Sequence, residues 1–335
     1  MKIVLNKMFL VMLSVVLLLA GCGAEETVEE TVEETIPVEK MKIVASFYPM
    51  FEFTSKVAGD HAEVISLVPA GVEPHDWEPS PEDIKSLEEA KLLVYNGAGM
   101  EGWIEKVVDG LDNKNLILVE ATHDMKLLGE EEHADKHVDE HEHEHAHEEE
   151  KHADEHAHEH GEYDPHVWLS PLRAIEQVRV IEAALSKADP QHQADYRNNA
   201  DAYVVELEEL HKQFQDALAP HAGKEFVTQH AAFAYIADAY NLIQLPIAGL
   251  SPENEPSAQR MAEIVAFAKE HQIRTIYFET LVSSKVAEVI AKEIGAKTAV
   301  LNPIEGLTAD DLKNNANYVS LMKQNLQALL QGFEQ

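Results

Sequence analysis

Apolar positions recur along this chain with two spacings. Eight short runs, at 43–47, 64–68, 92–95, 116–119, 226–228, 243–247, 275–278 and 298–301, have the length and composition of strands. Longer amphipathic segments lie between most of them. Ser80-Pro81-Glu82-Asp83 supplies a helix start, with a capping hydroxyl, a proline in the first turn and acids at the positive end of the helix dipole. Ser170-Pro171 repeats that signal ahead of 172–187, and Gly295 suits the position just past a helix over 284–294. Strands that alternate with helices build parallel sheets covered by helices. Four runs before residue 120 and four after 225 predict an α/β fold with two lobes of similar build, each around a four-stranded, parallel-rich sheet.

Residues 191–219 contain neither Gly nor Pro. Tyr196, Ala200, Tyr203, Leu207, Leu210, Phe214 and Leu218 step by three and four, which places them on one face of a helix about 40 Å long. Such a helix can join the two lobes as a stiff strut, and it also fits plain amphipathic packing. The predicted organisation is a first lobe over 41–188, a linking helix over 189–221 and a second lobe over 222–335.

The pattern fails in three places. Lys2 and Lys7 precede an apolar run at 8–19, the layout of a secretory signal and short for a membrane span. The run ends in Leu19-Ala20-Gly21-Cys22, which resembles the bacterial lipobox, whose cysteine is lipidated and becomes the mature N-terminus. An ordinary cleaved signal with a stray cysteine is the competing reading. Residues 1–22 are thus read as a lipoprotein signal that leaves the chain anchored to the outer face of a bacterial cell membrane through Cys22. Residues 23–40, with their tandem TVEE repeat, cannot bury a core and are read as a disordered acidic linker. The third break is 130–162, which holds ten histidines (His133, His137, His141, His143, His145, His147, His152, His156, His158 and His160) and fifteen acids. Its few aliphatic residues cannot pack, so it is read as a disordered insertion in the first lobe.

Charge and cysteine count narrow the chemistry. With 61 acidic against 26 basic residues the formal net charge is −35, which excludes nucleic-acid binding through a basic face and suits attraction of cations. Cys22 is the only cysteine, so disulfides, cysteine zinc sites and a catalytic thiol in the folded part are excluded. Runs such as His141-Glu142-His143-Glu144-His145 match H-E-x-x-H formally, but alternating His and Glu generate that match by composition rather than on a buried helix face.

Four possible ligands follow predicted strands: His75 after the second, His166 after the fourth and the insertion, His230 after the fifth and Glu305 after the eighth. Ligands of open α/β sheets bind beyond the carboxyl ends of strands, so two residues from each lobe could converge on one cleft. Three imidazoles and a carboxylate suit tetrahedral zinc better than manganese, calcium or magnesium. A histidine at a strand end is also a common surface or capping residue. His75 and His166 each follow a proline (Pro74, Pro165) that restricts the backbone. His61, His192, His211, His221 and His271 lack such settings and are read as solvent-facing. From spacing alone Glu305 is equally a loop carboxylate near the last helix.

Taken together, Pro74-His75-Asp76, Asp164-Pro165-His166-Val167-Trp168, Thr228-Gln229-His230-Ala231-Ala232-Phe233, Ala248-Gly249-Leu250-Ser251-Pro252 and Asn302-Pro303-Ile304-Glu305 carry a wider resemblance. The chain resembles the metal-binding proteins of ABC transporters for zinc and manganese, most closely the ZnuA/AdcA-type zinc branch, from the lipobox to the last helix. The resemblance implies two lobes joined by a rigid helix, with Zn2+ as the transported ligand held at their interface by His75, His166, His230 and Glu305. Glu73 and Glu279 are minor candidates for the fourth position, which water fills in some zinc relatives. Manganese relatives have a carboxylate where this chain has His230. The resemblance further implies a non-enzymatic monomer that delivers zinc to a membrane permease with its cytoplasmic ATPase, and a low-affinity metal-collecting role for the His-rich loop. A manganese-binding homologue, a surface adhesin and a zinc-dependent hydrolase are the alternatives.

Overall fold

The computed structural model of the protein describes residues 40–129 and 163–334. Cys22, the acidic linker as far as residue 39 and the ten histidines of 130–162 lie outside the described residues.

Two parallel sheets form the frame. The first contains β1 (Met41–Ala45), β2 (Ala62–Ser66), β3 (Leu92–Tyr95) and β4 (Ile117–Glu120) in the order β2-β1-β3-β4. The second contains β5 (Glu225–Thr228), β6 (Ile243–Pro246), β7 (Thr275–Phe278) and β8 (Lys297–Val300) in the order β6-β5-β7-β8. All recorded strand pairs are parallel. Parallel neighbours require crossovers, and helices supply most of them. α1 (Tyr48–Ala58), α2 (Pro81–Glu89) and α3 (Ile104–Gly110) serve the first sheet. α6 (Ala234–Tyr240), α7 (Ala258–Glu270) and α8 (Lys285–Ile294) serve the second.

β1 and β2 end two residues before the predicted runs do. Phe47, Leu67 and Val68 are buried just past the strand ends, which lengthens the apolar run beyond the sheet. Ser80 caps α2 through a full capping box with Asp83. Ser170 occupies the corresponding position of α4 (Pro171–Ala188), but its side chain makes no capping bond. The helix start there rests on Pro171 and on packing.

α5 (Gln193–Leu218) is the long helix. All seven residues predicted for its apolar face are buried, joined by Val204. That face packs on α1 and α4 of the first lobe. After the short α9 (Ala309–Lys313), α10 (Tyr318–Phe333) also packs on α5 and reaches α1, where the Tyr318 and Phe53 rings meet edge to face at 5.0 Å. One contiguous apolar core therefore runs along α5 and takes residues from both lobes, from Ile43 to Leu329. A shared core of this kind resists independent rotation of the lobes.

Candidate metal centre

Each expected ligand lies in a turn beyond the carboxyl end of a strand. His75 sits between β2 and α2. Both Glu73 carboxylate oxygens accept its backbone N–H, at 3.0 and 3.1 Å. His166 precedes a single 3-10 turn, Val167–Leu169, that runs into α4. Asp164 Oδ1 accepts both the His166 backbone N–H (2.9 Å) and ring Nδ1 (2.7 Å), fixing the ring and turning Nε2 outward. Asn96, just past β3, steadies the same segment by donating from Nδ2 to the Pro165 carbonyl at 2.9 Å.

His230 follows β5 and is oriented in the same way. Glu279, just past β7, accepts the His230 backbone N–H at 3.1 Å and ring Nδ1 at 2.5 Å. Glu305 follows β8 in a turn locked by Asn302 and Asn325, which exchange two side-chain-to-backbone bonds at 2.6 and 2.8 Å. Ile304 takes φ 58° there, a rare conformation for a β-branched residue, and it is fully buried. That turn aims the Glu305 carboxylate into the cleft.

The four side chains meet. One ligand atom from each of His75, His166, His230 and Glu305 lies within 4.8 Å of all the others. No second group of three or more His, Cys, Asp or Glu is so placed among the described residues. His166 Nε2 is 3.2 Å from His75 Nε2 and 3.2 Å from His230 Nε2. Glu305 Oε1 is 3.4, 3.4 and 3.5 Å from the Nε2 atoms of His75, His166 and His230. A tetrahedral zinc with bonds of about 2.0–2.1 Å separates its donors by about 3.3 Å. Five edges of the tetrahedron therefore have the length that zinc requires. The donors are also unspent. Glu305 Oε1 is buried without a hydrogen bond, and on His166 and His230 a carboxylate occupies the opposite ring nitrogen. Carboxylate–histidine pairs of this kind set the tautomer that leaves Nε2 free for a metal.

Burial and charge oppose each other here. Burial pulls the His230 imidazolium down, but Glu279 and Glu305 outweigh it and its pKa is pushed up to about 10. Burial likewise lowers His166, and Asp164 with Glu305 reverses the sign, so it is raised. Burial raises Glu305, yet the three imidazoles hold it well below the ordinary carboxylate range. The cleft is thus wired to hold positive charge against a carboxylate. His75, with a side chain 10% exposed against 0–1% for the other three, is its open side.

Glu73 and Glu279 do not join the quartet, because their oxygens are turned to the N–H groups of His75 and His230. Of the five histidines expected to face solvent, His271 does, whereas His61, His192, His211 and His221 are half-buried. His61 pairs with Asp195 at 3.0 Å and stacks on His192, which pairs with Asp189 at 2.6 Å. His211 meets the Tyr240 hydroxyl at 3.1 Å, and His221 packs beside Phe333. His271 is exposed but pairs with Glu225 at 2.7 Å and stacks on Phe267. Asp195, Tyr240, Phe333 and Glu225 lie far along the chain from their histidines, so spacing could not reveal them, whereas Asp189 and Phe267 lie three and four residues before His192 and His271. Asp164 had a local signal, two residues before His166. Glu279, 49 residues from its histidine, had none. Glu279→Gln keeps an acceptor but removes the charge. Chelator competition is expected to show a loss of zinc affinity of roughly 10- to 100-fold.

The comparisons with known proteins agree with this geometry. Residues 43–332 match the family model described as ZnuA, zinc-uptake complex component A, periplasmic. The chain is 43% identical over 315 residues to the high-affinity zinc uptake system protein ZnuA of Bacillus subtilis, covering 93% of both chains. It is 43% identical over 298 residues to the zinc-binding lipoprotein AdcA of Streptococcus pneumoniae, covering 88% of this chain but spanning only 56% of that longer relative. The crystal structure of the Zn(II)-bound ZnuA-like domain of Streptococcus pneumoniae AdcA superposes with a TM-score of 0.72 at 42% identity, over 88% of this chain and all of that one. The match from the first strand to the last helix, together with these identities, means that the chain belongs to the ZnuA family of zinc-uptake components.

Proposed function

We propose that this protein is the extracellular zinc-binding component of an ABC-type importer, taking up Zn2+ between its lobes on His75, His166, His230 and Glu305 and delivering it to a membrane permease. One observation carries the reading: the buried three-imidazole, one-carboxylate quartet has the edge lengths of a zinc tetrahedron. Four protein donors close the coordination sphere. A zinc hydrolase needs an open position for water, so the quartet supports binding without catalysis. Imidazole donors favour zinc over manganese, which prefers oxygen-rich shells. The long α5 helix and the core shared along it oppose wide hinge opening. Release on the permease then proceeds through modest shifts of lobes or loops.

The domain reading follows the same logic, with lobes at 41–188 and 222–335 and the linking helix at 189–221. Lipidation of Cys22 tethers the chain, and the histidines of 130–162 collect zinc weakly. Zinc titration of the chain and of a variant lacking 130–162 tests the division of labour. Both are expected to keep one tight site, with the weaker sites lost from the variant. Two equally tight sites, or none, would contradict it. Cys22→Ala is expected to abolish metabolic labelling by palmitate. Labelling that persists in this variant would contradict the anchor.

A further inference from the structure

The turn that carries His166 belongs to the first lobe by sequence, yet the second lobe holds much of its backbone. The Tyr318 hydroxyl of α10 donates to the Trp168 carbonyl at 2.5 Å. The Trp168 indole N–H donates to the Pro303 carbonyl at 2.8 Å, in the turn that carries Glu305. Tyr235, the second residue of α6, grips the other end. Its hydroxyl donates to the Asp164 carbonyl at 2.9 Å and accepts the Leu128 N–H at 3.0 Å.

Leu128 and Asp164 are themselves paired. The Asp164 N–H donates to the Leu128 carbonyl at 2.9 Å, and Gly129 and Tyr163 form an antiparallel bridge. The chain segments entering and leaving 130–162 therefore meet in a two-stranded base, and one hydroxyl from the second lobe lies across it. Tyr235 is 2% exposed. Its helix begins four residues after His230, so ligand and tyrosine share one short, buried stretch of chain. On the far side, Asp164 is the residue whose carboxylate aims His166.

We propose that Tyr235 is a positioning residue of the metal centre. It reaches from the second lobe, fixes the backbone of Asp164, and so couples the stretch holding His230 to the carboxylate that orients His166. The hydroxyl keeps the two halves of the quartet in register around bound zinc. This inference rests on the proposed zinc-binding function.

Tyr235→Phe in the full chain keeps the ring and removes the hydroxyl. The test is the rate at which pre-loaded zinc leaves into excess chelator, together with the rise in melting temperature that zinc produces. With two hydrogen bonds of ordinary net strength lost, release is expected to quicken roughly 3- to 30-fold, and the zinc-induced rise to shrink. A merely structural hydroxyl would lower the melting temperature of the zinc-free and zinc-bound forms alike and leave the release rate unchanged, which would overturn the proposal. Tyr240→Phe is the control. Tyr240 is a buried tyrosine of the same helix whose hydroxyl meets His211 instead. Equal acceleration in that variant would mean general loosening of α6 and would also overturn it. A wild-type chain that holds no zinc tightly would defeat the proposed function itself. Tight binding by the wild type with wild-type release from Tyr235→Phe would defeat this inference alone.

Discussion

Replacing His230 with alanine is expected to lower the affinity for Zn2+ on the order of 10²- to 10³-fold, because four ligands share a binding free energy of roughly 10–16 kcal/mol. The loss has a second component. His230 is fully buried, and its Nδ1 is the partner of Glu279, itself 4% exposed. The truncation leaves that carboxylate buried with the backbone N–H of residue 230 but without the imidazole, and removing one member of a buried pair costs about 3–5 kcal/mol of folding stability. Chelator competition reads the first effect and urea unfolding of the zinc-free protein the second. The double variant His230→Ala/Glu279→Gln separates them: stability is expected to recover in part, and affinity is not. Unchanged zinc affinity in His230→Ala would mean that the quartet is not the tight site.

Zinc affinity is also expected to rise steeply with pH. Zinc and a proton compete for the Nε2 of His230. Burial favours the neutral ring there, but Glu279 and Glu305 dominate, and the zinc-free imidazolium persists to about pH 10. A raised imidazole pKa stabilises the zinc-free fold fully below the unfolded value of about 6.5, and that contribution is lost as pH rises through about 10. The zinc-bound form carries no such proton. Between pH 6 and 9 the bound form therefore gains on the free form, by about tenfold in affinity per pH unit for each proton displaced. His166, raised by Asp164 and Glu305 against its burial, adds in the same direction. Glu305 does not oppose it in this window, since the imidazoles keep it ionised well below its ordinary range. Calorimetric titration at pH 7 in buffers of different ionisation enthalpy is expected to record at least one proton released per zinc. Glu279→Gln should reduce that number. Proton release near zero in the wild type would contradict this electrostatic account.

Much of this architecture was legible in the residue pattern. The alternation of short apolar runs with amphipathic segments locates all eight strands, and the three–four spacing locates the buried face of α5. The limits of β1 and β2 were not legible, because burial beyond the sheet edge continues the apolar run through Phe47, Leu67 and Val68. The three histidines stood out by residue type and by position after strands. Glu305 did not, since a carboxylate in a loop is ordinary until the turn at Ile304 is known to point it into the cleft. The residues that tune and steady the site were the least visible. Glu279 reaches His230 across 49 residues, Tyr235 reaches Asp164 across 71, and Tyr318 reaches Trp168 across 150. Separations of that size are set by how the two sheets pack, and no local pattern encodes them.

The sharing of roles within the cleft explains how an acidic protein builds a closed site for a divalent cation. Asp164 and Glu279 act on the rings rather than on the metal, so charge is concentrated without crowding the coordination sphere. The apolar core along α5 holds the turns that carry these groups at fixed distances from one another.

The most direct test of the account is a crystal structure of the zinc-loaded protein with an anomalous difference map at the zinc edge. The account predicts one strong peak between the lobes, about 2.0–2.2 Å from Nε2 of His75, His166 and His230 and from a Glu305 oxygen. A peak held by other side chains, or one from which any of these four is turned away, would contradict it.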